Sequence, residues 1–335
     1  MIQSVPNPLL LSDTLPEALQ KFIKDSRVHP DNYSLSSLNV PRFIRLAPAR
    51  LGRPKVSLEE LLAQLPSDIA LTATAVPDVY SLPRATTIAS LPLYQEGRIY
   101  GVDLASMLAV HAMRIHPDDH VLDVCCAPGA KLCAIADILH EGTGTVTGLD
   151  LSSSRLATCR SLCRKYLQDN VRLVQGDGTI MSIAPPEGFT RTSQGNVLVD
   201  AECTHDGSIA HITKYLSRED WDVEDAFLHP DRLSSITELQ YALLVNGWRN
   251  LRPGGYLVYA TCSLTEAQNE QVIHRFLQNH STEADLCPSP LPSSITRTTI
   301  SSTFPKELSK CVRLEPRHAQ TSGLFFARLH KIPTS

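Results

Sequence analysis

The chain contains no run of apolar residues near the ~18 that a membrane-spanning helix needs, and no span is expected from it. Its first residues, MIQSVPNPLLLSDTLPEAL, lack the charged start and small-residue cleavage site of a secretory signal. They also lack the Arg-rich, acid-poor character of a transit peptide. Cytoplasm or nucleus is therefore expected, with the mitochondrion left open. None of the nine cysteines forms a C-x-x-C pair, so neither a disulfide framework nor a zinc ribbon is indicated, and the thiols read as reduced. Cys159 and Cys163, four apart in a helical pattern, read as packing residues, and no metal is expected. There is no internal repeat. There is no overall basic excess either: the net charge is −4, which argues against a uniformly basic nucleic-acid coat.

What is present is unevenly distributed. Between Lys21 and Lys55 stand eight Lys/Arg against two Asp, whereas Ser217 to Asp225 holds five acids and one Arg. Two solvated faces would explain this. So would a basic front unit that holds a phosphate backbone. With 335 residues the chain exceeds one usual core, so two domains are expected, a small α+β unit over 1–95 and a larger one over 96–335. In the first, DTLPEALQKFIKD (13–25) and SLEELLAQL (57–65) read as amphipathic helices, the latter with Ser57 and Glu60 as a capping box. RFIRLA (42–47), ALTATAV (70–76) and TTIASLPLY (86–94) read as strands.

From about residue 118 the pattern becomes strand–helix alternation. HVLDVCC (120–126), GTVTGLDL (144–151), NVRLVQGD (170–177), NVLVDAE (196–202) and GYLVYATC (255–262) are near-continuous apolar runs separated by helical stretches. Such runs imply a mostly parallel, doubly wound α/β sheet covered on both faces. The Ser/Thr/Pro-rich stretch 281–309 reads as an irregular connection, and KCVRLEP with GLFFARLHK as a closing pair of strands.

Ligands of such a sheet sit at the carboxyl ends of its strands. Those ends gather Asp123, Asp150, Asp177, Asp200, Cys203 and Cys262. Asp150, ending the second strand, is placed to hold a ribose diol, and Asp177 to accept from an exocyclic amine such as adenine's. The turn after the first strand carries Pro128, Gly129 and Ala130 instead of G-x-G-x-x-G, which suits a nucleoside without a pyrophosphate, such as S-adenosylmethionine. Helix capping is the alternative role for any single one of these aspartates. Cys203 lies between carboxylates, which should raise its pKa and keep it a thiol, Glu202 above all. Cys262 precedes Ser263, a good helix N-cap, and a helix N-terminus there would favour its thiolate.

Taken together these stretches resemble the Nop/Sun (RsmB-like) family of RNA cytosine-5 methyltransferases. DVCCAPGAKL (123–132) resembles the family's first motif, DAECTHDGS (200–208) its fourth and YATCSLTEAQNE (259–270) its sixth. GRIYGVDLASMLAV (97–110), LQYALLVNGWRNLRPGG (239–255) and RLEP with SGLFFARL match its other segments, and VPRFIRLAPAR (40–50) resembles part of its small front domain. The resemblance implies Cys262 as the nucleophile that attacks cytosine C6 and Asp200 as the carboxylate on N3 and the amine. It implies Cys203 as the cysteine of release and Lys131 as a neighbour of the base. Cys125, Cys126, Ala127, Pro128, Gly129, Ala130, Lys131, Asp150, Arg155, Asp177 and Asp200 would surround S-adenosylmethionine. The substrate would be an unpaired or flipped cytosine in tRNA or rRNA, bound by a monomer. The sequence departs from the family pattern at Glu202, where Pro is usual, and at Thr204, His205 and Asp206, which replace S-G-x. Glu202 should loosen that turn or tie it down by a hydrogen bond. Ala130 and Leu132 replace Gly and Thr. The altered fourth motif keeps a second reading open, a catalytically silent RNA-binding protein on the same scaffold, and a small-molecule methyltransferase is a third. Trp221 and Lys214, in the insertion after the fourth motif, are candidates for holding RNA.

Overall fold

A computed structural model describes residues 15–50, 52–184, 195–216 and 230–333. Two sheets organise them. The first is antiparallel, in the order β2-β3-β1-β4, from β1 (Arg42–Leu46), β2 (Thr72–Ala73), β3 (Val79–Leu82) and β4 (Ile99–Val102). The helix Leu58–Leu62 stands between β1 and β2. Ser57 caps it by accepting the Glu60 amide at 3.1 Å, while the Glu60 carboxylate pairs with Arg98. The stretch 86–94 is not a strand: its end, with Pro92 fixing φ at the first helical position, winds into the short helix Pro92–Gln95. The sheet's last strand is β4, from the family-like stretch 97–110, so this sheet runs beyond residue 95.

The second sheet has the order β10-β12-β9-β8-β5-β6-β7, with β11 paired to β12. Its parallel part is β5 (His120–Asp123), β6 (Thr145–Asp150), β7 (Val171–Gln175), β8 (Asn196–Asp200) and β9 (Tyr256–Thr261). β12 (Leu324–Lys331) lies antiparallel to β9, and β10 (Ala284–Cys287) and β11 (Val312–Leu314) pair with β12. β10 lies inside the stretch read as irregular. Along β8 and β9 successive side chains enter opposite cores: Leu198, Val258 and Ala260 pack on one face, Val197, Val199, Leu257 and Tyr259 on the other. That alternation within continuous apolar runs is what a sheet covered on both sides requires. Helices Leu104–Ala112, Ala130–Leu139 and Ser153–Lys165 cover the first face, and Pro230–Asn250 and Glu270–Asn279 the second.

The small sheet is joined to the large one through Asp137, whose side chain is buried. Arg45 and Arg50 both donate to its carboxylate, the latter at 2.7 Å, and Gln168 adds a bond of 2.7 Å. Much of the basic excess noted in the sequence is engaged in this way, since Arg53 donates to the Lys165 carbonyl and Lys55 pairs with Asp78. Lys21, Lys24, Arg27 and Arg42 face solvent. The N-terminal helix Glu17–Asp25 packs Leu19, Phe22 and Ile23 against Ile209, Ile212 and Leu264, directly behind the strand ends that follow. Among the described residues no helix is long and apolar enough to cross a membrane.

Candidate active site

β8 and β9 are parallel neighbours, with Asp200 opposite Ala260. The ladder continues one step further as the Ala201 amide donates to the Ala260 carbonyl at 3.0 Å. Chain leaving β8 therefore runs beside chain leaving β9, and Cys203 and Cys262 meet with their sulfurs 3.1 Å apart. Lys131, in the first turn of the helix after β5, reaches across to Asp200 with Nζ 2.7 Å from its carboxylate. Burial lowers the Lys131 pKa, but the Asp200 carboxylate outweighs it and the net shift is upward. Cys203, Cys262, Asp200 and Lys131 thus form one group.

The loop that follows Cys203 is fixed from all sides. The Thr204 amide donates to Gln268 at 3.1 Å, and the Gln268 amide returns a bond to the Thr204 hydroxyl at 2.8 Å. Buried Asp206 accepts from the Thr204 hydroxyl and from the Leu264 amide at 2.8 Å. The Gly207 amide donates to the Cys262 carbonyl at 2.9 Å. A Cβ at Gly207 would stand 2.7 Å from that same oxygen, so only glycine allows the approach. Glu202, in the place of proline, is tied down: Gln240 donates to its carbonyl at 2.7 Å and Arg232 lies 3.4 Å from its carboxylate.

Two electrostatic expectations are corrected. Glu202 is exposed, faces Arg232 and does not hold Cys203 in the thiol form. Burial pushes Cys203 up, yet hydrogen bonds from Cys262 and His205 outweigh it and bring the group down to about 6. Cys262 does not sit at a helix N-terminus, because residues 263–265 are irregular, 266–269 turn, and the next helix starts at Glu270 behind Asn269. Cys262 is instead pushed up by the Cys203 sulfur, then by burial, with Lys131 opposing. Two thiols in contact titrate as a unit, and one thiolate is favoured in the pair.

His205 is the residue that sequence reasoning missed. Its Nδ1 is 3.0 Å from the Cys262 sulfur and 3.7 Å from that of Cys203, and the three donor atoms lie within 4.8 Å of one another. A histidine two residues past a cysteine in the fourth motif was the available signal.

A second group surrounds the turn after β5. Asp123 is 1% exposed. Beyond an approach by the Cys125 amide, its carboxylate oxygens find no hydrogen-bond partner among the described residues. Burial, then the charge of Asp200, pushes it up to about 8. Asp150, ending β6, accepts the Ser152 amide at 3.0 Å and the Ala127 amide at 3.3 Å, and Arg155 lies 3.5 Å away. Arg155 also donates to the Ala127 carbonyl at 2.7 Å. Cys126 and Ala127 are buried, Cys125 is half-buried, and Pro128 and Ala130 are exposed beside Gly129, whose φ of 113° opens the helix Ala130–Leu139. An orphaned buried carboxyl facing a loop that positions backbone groups fits a ligand that carries hydrogen-bond donors and positive charge. S-adenosylmethionine is such a ligand.

Asp177 follows Gly176, whose amide donates to the Asp150 carbonyl at 3.1 Å. It is exposed at the end of the edge strand β7, and one oxygen accepts the Thr179 hydroxyl at 2.7 Å and amide at 2.9 Å, bonds that hold its pKa below the usual carboxylate value. Cys159 and Cys163 lie in the core. Lys214 is exposed on the helix Ile209–Leu216, and Trp221 lies outside the described residues.

A doubly wound sheet that gathers paired thiols and a lysine–carboxylate pair at its strand ends has the site position of an α/β enzyme. The chain belongs to the 16S rRNA methyltransferase RsmB/F family, whose profile matches residues 110–330. It is 31% identical over 284 residues to the mouse 28S rRNA (cytosine-C(5))-methyltransferase, covering 83% of this chain and 57% of that one. It is 30% identical over 242 residues to the ribosomal RNA small subunit methyltransferase B of Xanthomonas campestris, covering 70% and 51%. The chain thus spans about half the length of the curated relatives it matches. Among solved structures, NSun6 from Pyrococcus horikoshii with SFG superposes with a TM-score of 0.71 at 18% identity, covering 95% of this chain and 99% of that one. A methyltransferase homolog protein from the same organism gives 0.68 at 23% identity, covering 95% and 100%. These likenesses show a shared fold.

Proposed function

We propose that the chain transfers a methyl group from S-adenosylmethionine to C5 of a cytosine in RNA, by way of a covalent bond between Cys262 and C6. The observation that carries this reading is the pair of thiols 3.1 Å apart on neighbouring strand ends, beside a lysine–carboxylate pair. Cytosine C5 is too weak a nucleophile to take a methyl carbon unaided. Addition of the Cys262 sulfur to C6 turns the ring into an enamine, which makes C5 nucleophilic. Asp200 lies beside Cys262 and suits the bond to N3 and the exocyclic amine as charge develops there. Lys131 holds Asp200 in place. Cys203, beside the attacking sulfur, serves in loss of the C5 proton and release of the product. Bound S-adenosylmethionine supplies an electrophilic methyl carbon, and Asp123, Asp150, Arg155 and the 125–130 turn would hold it.

Ribosomal RNA is the substrate class favoured by the names of the relatives. C6 is inaccessible in a stacked helix, so an unpaired or flipped cytosine is required. The small antiparallel sheet and its helices form the unit we assign to RNA contact, in a protein acting as a monomer.

The test is covalent trapping with tritiated S-adenosylmethionine and total RNA. Cys203→Ala should accumulate an RNA–protein adduct that survives denaturing gels, and Cys262→Ala should neither form an adduct nor transfer methyl. An active Cys262→Ala protein overturns the assignment. RNA binding by the wild type without transfer to any RNA returns the reading of a silent scaffold.

A further inference from the structure

The sulfur at position 262 needs a route to its thiolate, and the fold does not supply the usual one. No helix begins at Cys262, and the Cys203 sulfur, then burial and Asp200, oppose charge there, with Lys131 favouring it. The pair of thiols gives up one proton readily, since Cys203 is brought down to about 6. Attack requires the resulting charge on Cys262.

His205 stands where that transfer can occur. Its backbone takes φ 55°, a left-handed conformation that glycine adopts without steric penalty and histidine does not. The turn is held there by the Ser208 amide donating to the His205 carbonyl and the Gly207 amide donating to the Cys262 carbonyl, both at 2.9 Å. The result is an imidazole nearer to Cys262 than to Cys203, with Nδ1 distances of 3.0 and 3.7 Å. The ring is stacked on His211, centroids 4.5 Å apart and planes 10° apart, which fixes its plane. His211 meets Ser208 at 2.9 Å, and burial, then His205 and Lys214, disfavours its own charge. Burial opposes an imidazolium at His205, and a charged His211 would too, yet Cys203, then Asp200 and Glu202, outweigh burial and the net shift is upward.

We propose that His205 is a catalytic residue of the methyl transfer described above, the base that takes the Cys262 proton and later returns it. In the attack the Cys262 S–H bond breaks, its proton goes to the Nδ1 lone pair, and the sulfur electrons form the S–C6 bond as the C5=C6 π pair shifts toward C4 and N3. In release the S–C6 bond breaks, its electrons return to sulfur, and Nδ1 hands the proton back. The proton lost from C5 is a separate one, passed by Cys203 to solvent, and the C5–H electrons it leaves behind re-form the C5=C6 bond as sulfur departs. The cycle requires the tautomer with hydrogen on Nε2.

The inference rests on the proposed function, yet its decisive measurement needs no RNA. Iodoacetamide alkylation of Cys262 is followed by peptide mapping from pH 5.5 to 9.5, in the full chain and in His205→Asn and His205→Gly. Both replacements tolerate φ 55°. In the wild type the midpoint should fall below the ordinary thiol value of about 8.5. Both variants should raise it by about one unit, roughly tenfold slower reaction at pH 7, and should lower methyl transfer on the order of 10²-fold or more. An unchanged profile in both variants overturns the proposal. So does a shift that vanishes in a Cys203→Ala background, which would make Cys203 the base. A wild type with the shifted profile that methylates no RNA sinks the functional reading and leaves His205 as the partner of Cys262.

Discussion

Replacing Asp123 by Asn should make the protein without cofactor more stable as the pH rises, a sign opposite to the usual effect of removing a carboxylate. The folded chain pushes Asp123 from 3.8 up to about 8, because burial and the Asp200 charge oppose ionisation. Between about pH 4 and 8 the native state keeps a proton that the unfolded chain has released. Unfolding free energy then falls with pH by about 1.4 kcal/mol per unit and levels off above 8. Asparagine has the same shape and no proton to lose. From pH 5 to 7.5 the wild type should lose roughly 3 kcal/mol relative to the variant, or about 6 °C in Tm at ~2 °C per kcal/mol. Asp200, Lys131 and Asp150 are present in both proteins, so the difference between the two curves isolates position 123. Differential scanning fluorimetry of both, without added cofactor, in buffers matched for ionic strength, measures it. Parallel curves would refute the reasoning and mean that water or a neighbour already satisfies the carboxylate.

Three further outcomes follow from the same geometry. Arg313→Met strips Glu270 of its buried partner and should lower stability by about 3–5 kcal/mol in urea unfolding; a loss under 1 kcal/mol would mean that the pair is open to water. Gly207→Ala drives a methyl group against the Cys262 carbonyl, so methyl transfer should drop on the order of tenfold or more while circular dichroism stays native, since a small displacement at the reacting atoms is costly; full activity would show that the loop adjusts freely. Asp177→Asn alters an exposed, locally bonded group and should weaken S-adenosylmethionine binding by no more than about threefold in calorimetry, within the small range of surface substitutions; a tenfold loss would place Asp177 on the ligand.

The parts of this fold legible in sequence are those written by long apolar runs. Four of the five parallel strands and the closing strands announce themselves because they are buried on both faces, whereas the edge strand β7 is part-exposed along its length. β4 and β10 are short edge or near-edge strands with mixed composition, and their existence is decided by what they pair with. The stretch 86–94 has strand-like residues, yet Pro92 and the turn before it decide otherwise. At the site, the strand-end rule gathered Asp123, Asp150, Asp177, Asp200, Cys203 and Cys262, all of which stand at or just past strand ends. It could not weigh partners: that Asp150 is already bonded and Asp123 is not, that Glu202 turns outward to Arg232, or that residues 263–269 delay the helix behind Cys262. His205 escaped notice for the same reason, since only the left-handed turn carries its ring back onto both sulfurs.

The pairing of Asp200 with Ala260 has a consequence for how the molecule tolerates change. The distance between the two sulfurs is set by hydrogen-bonding register in the centre of a sheet, and slipping that register by one residue would send every side chain of the strand into the opposite core. Chain inserted after Ser208 or before Pro230 is outside that constraint. Segments outside the sheet can therefore lengthen or shorten while the two sulfurs keep their separation.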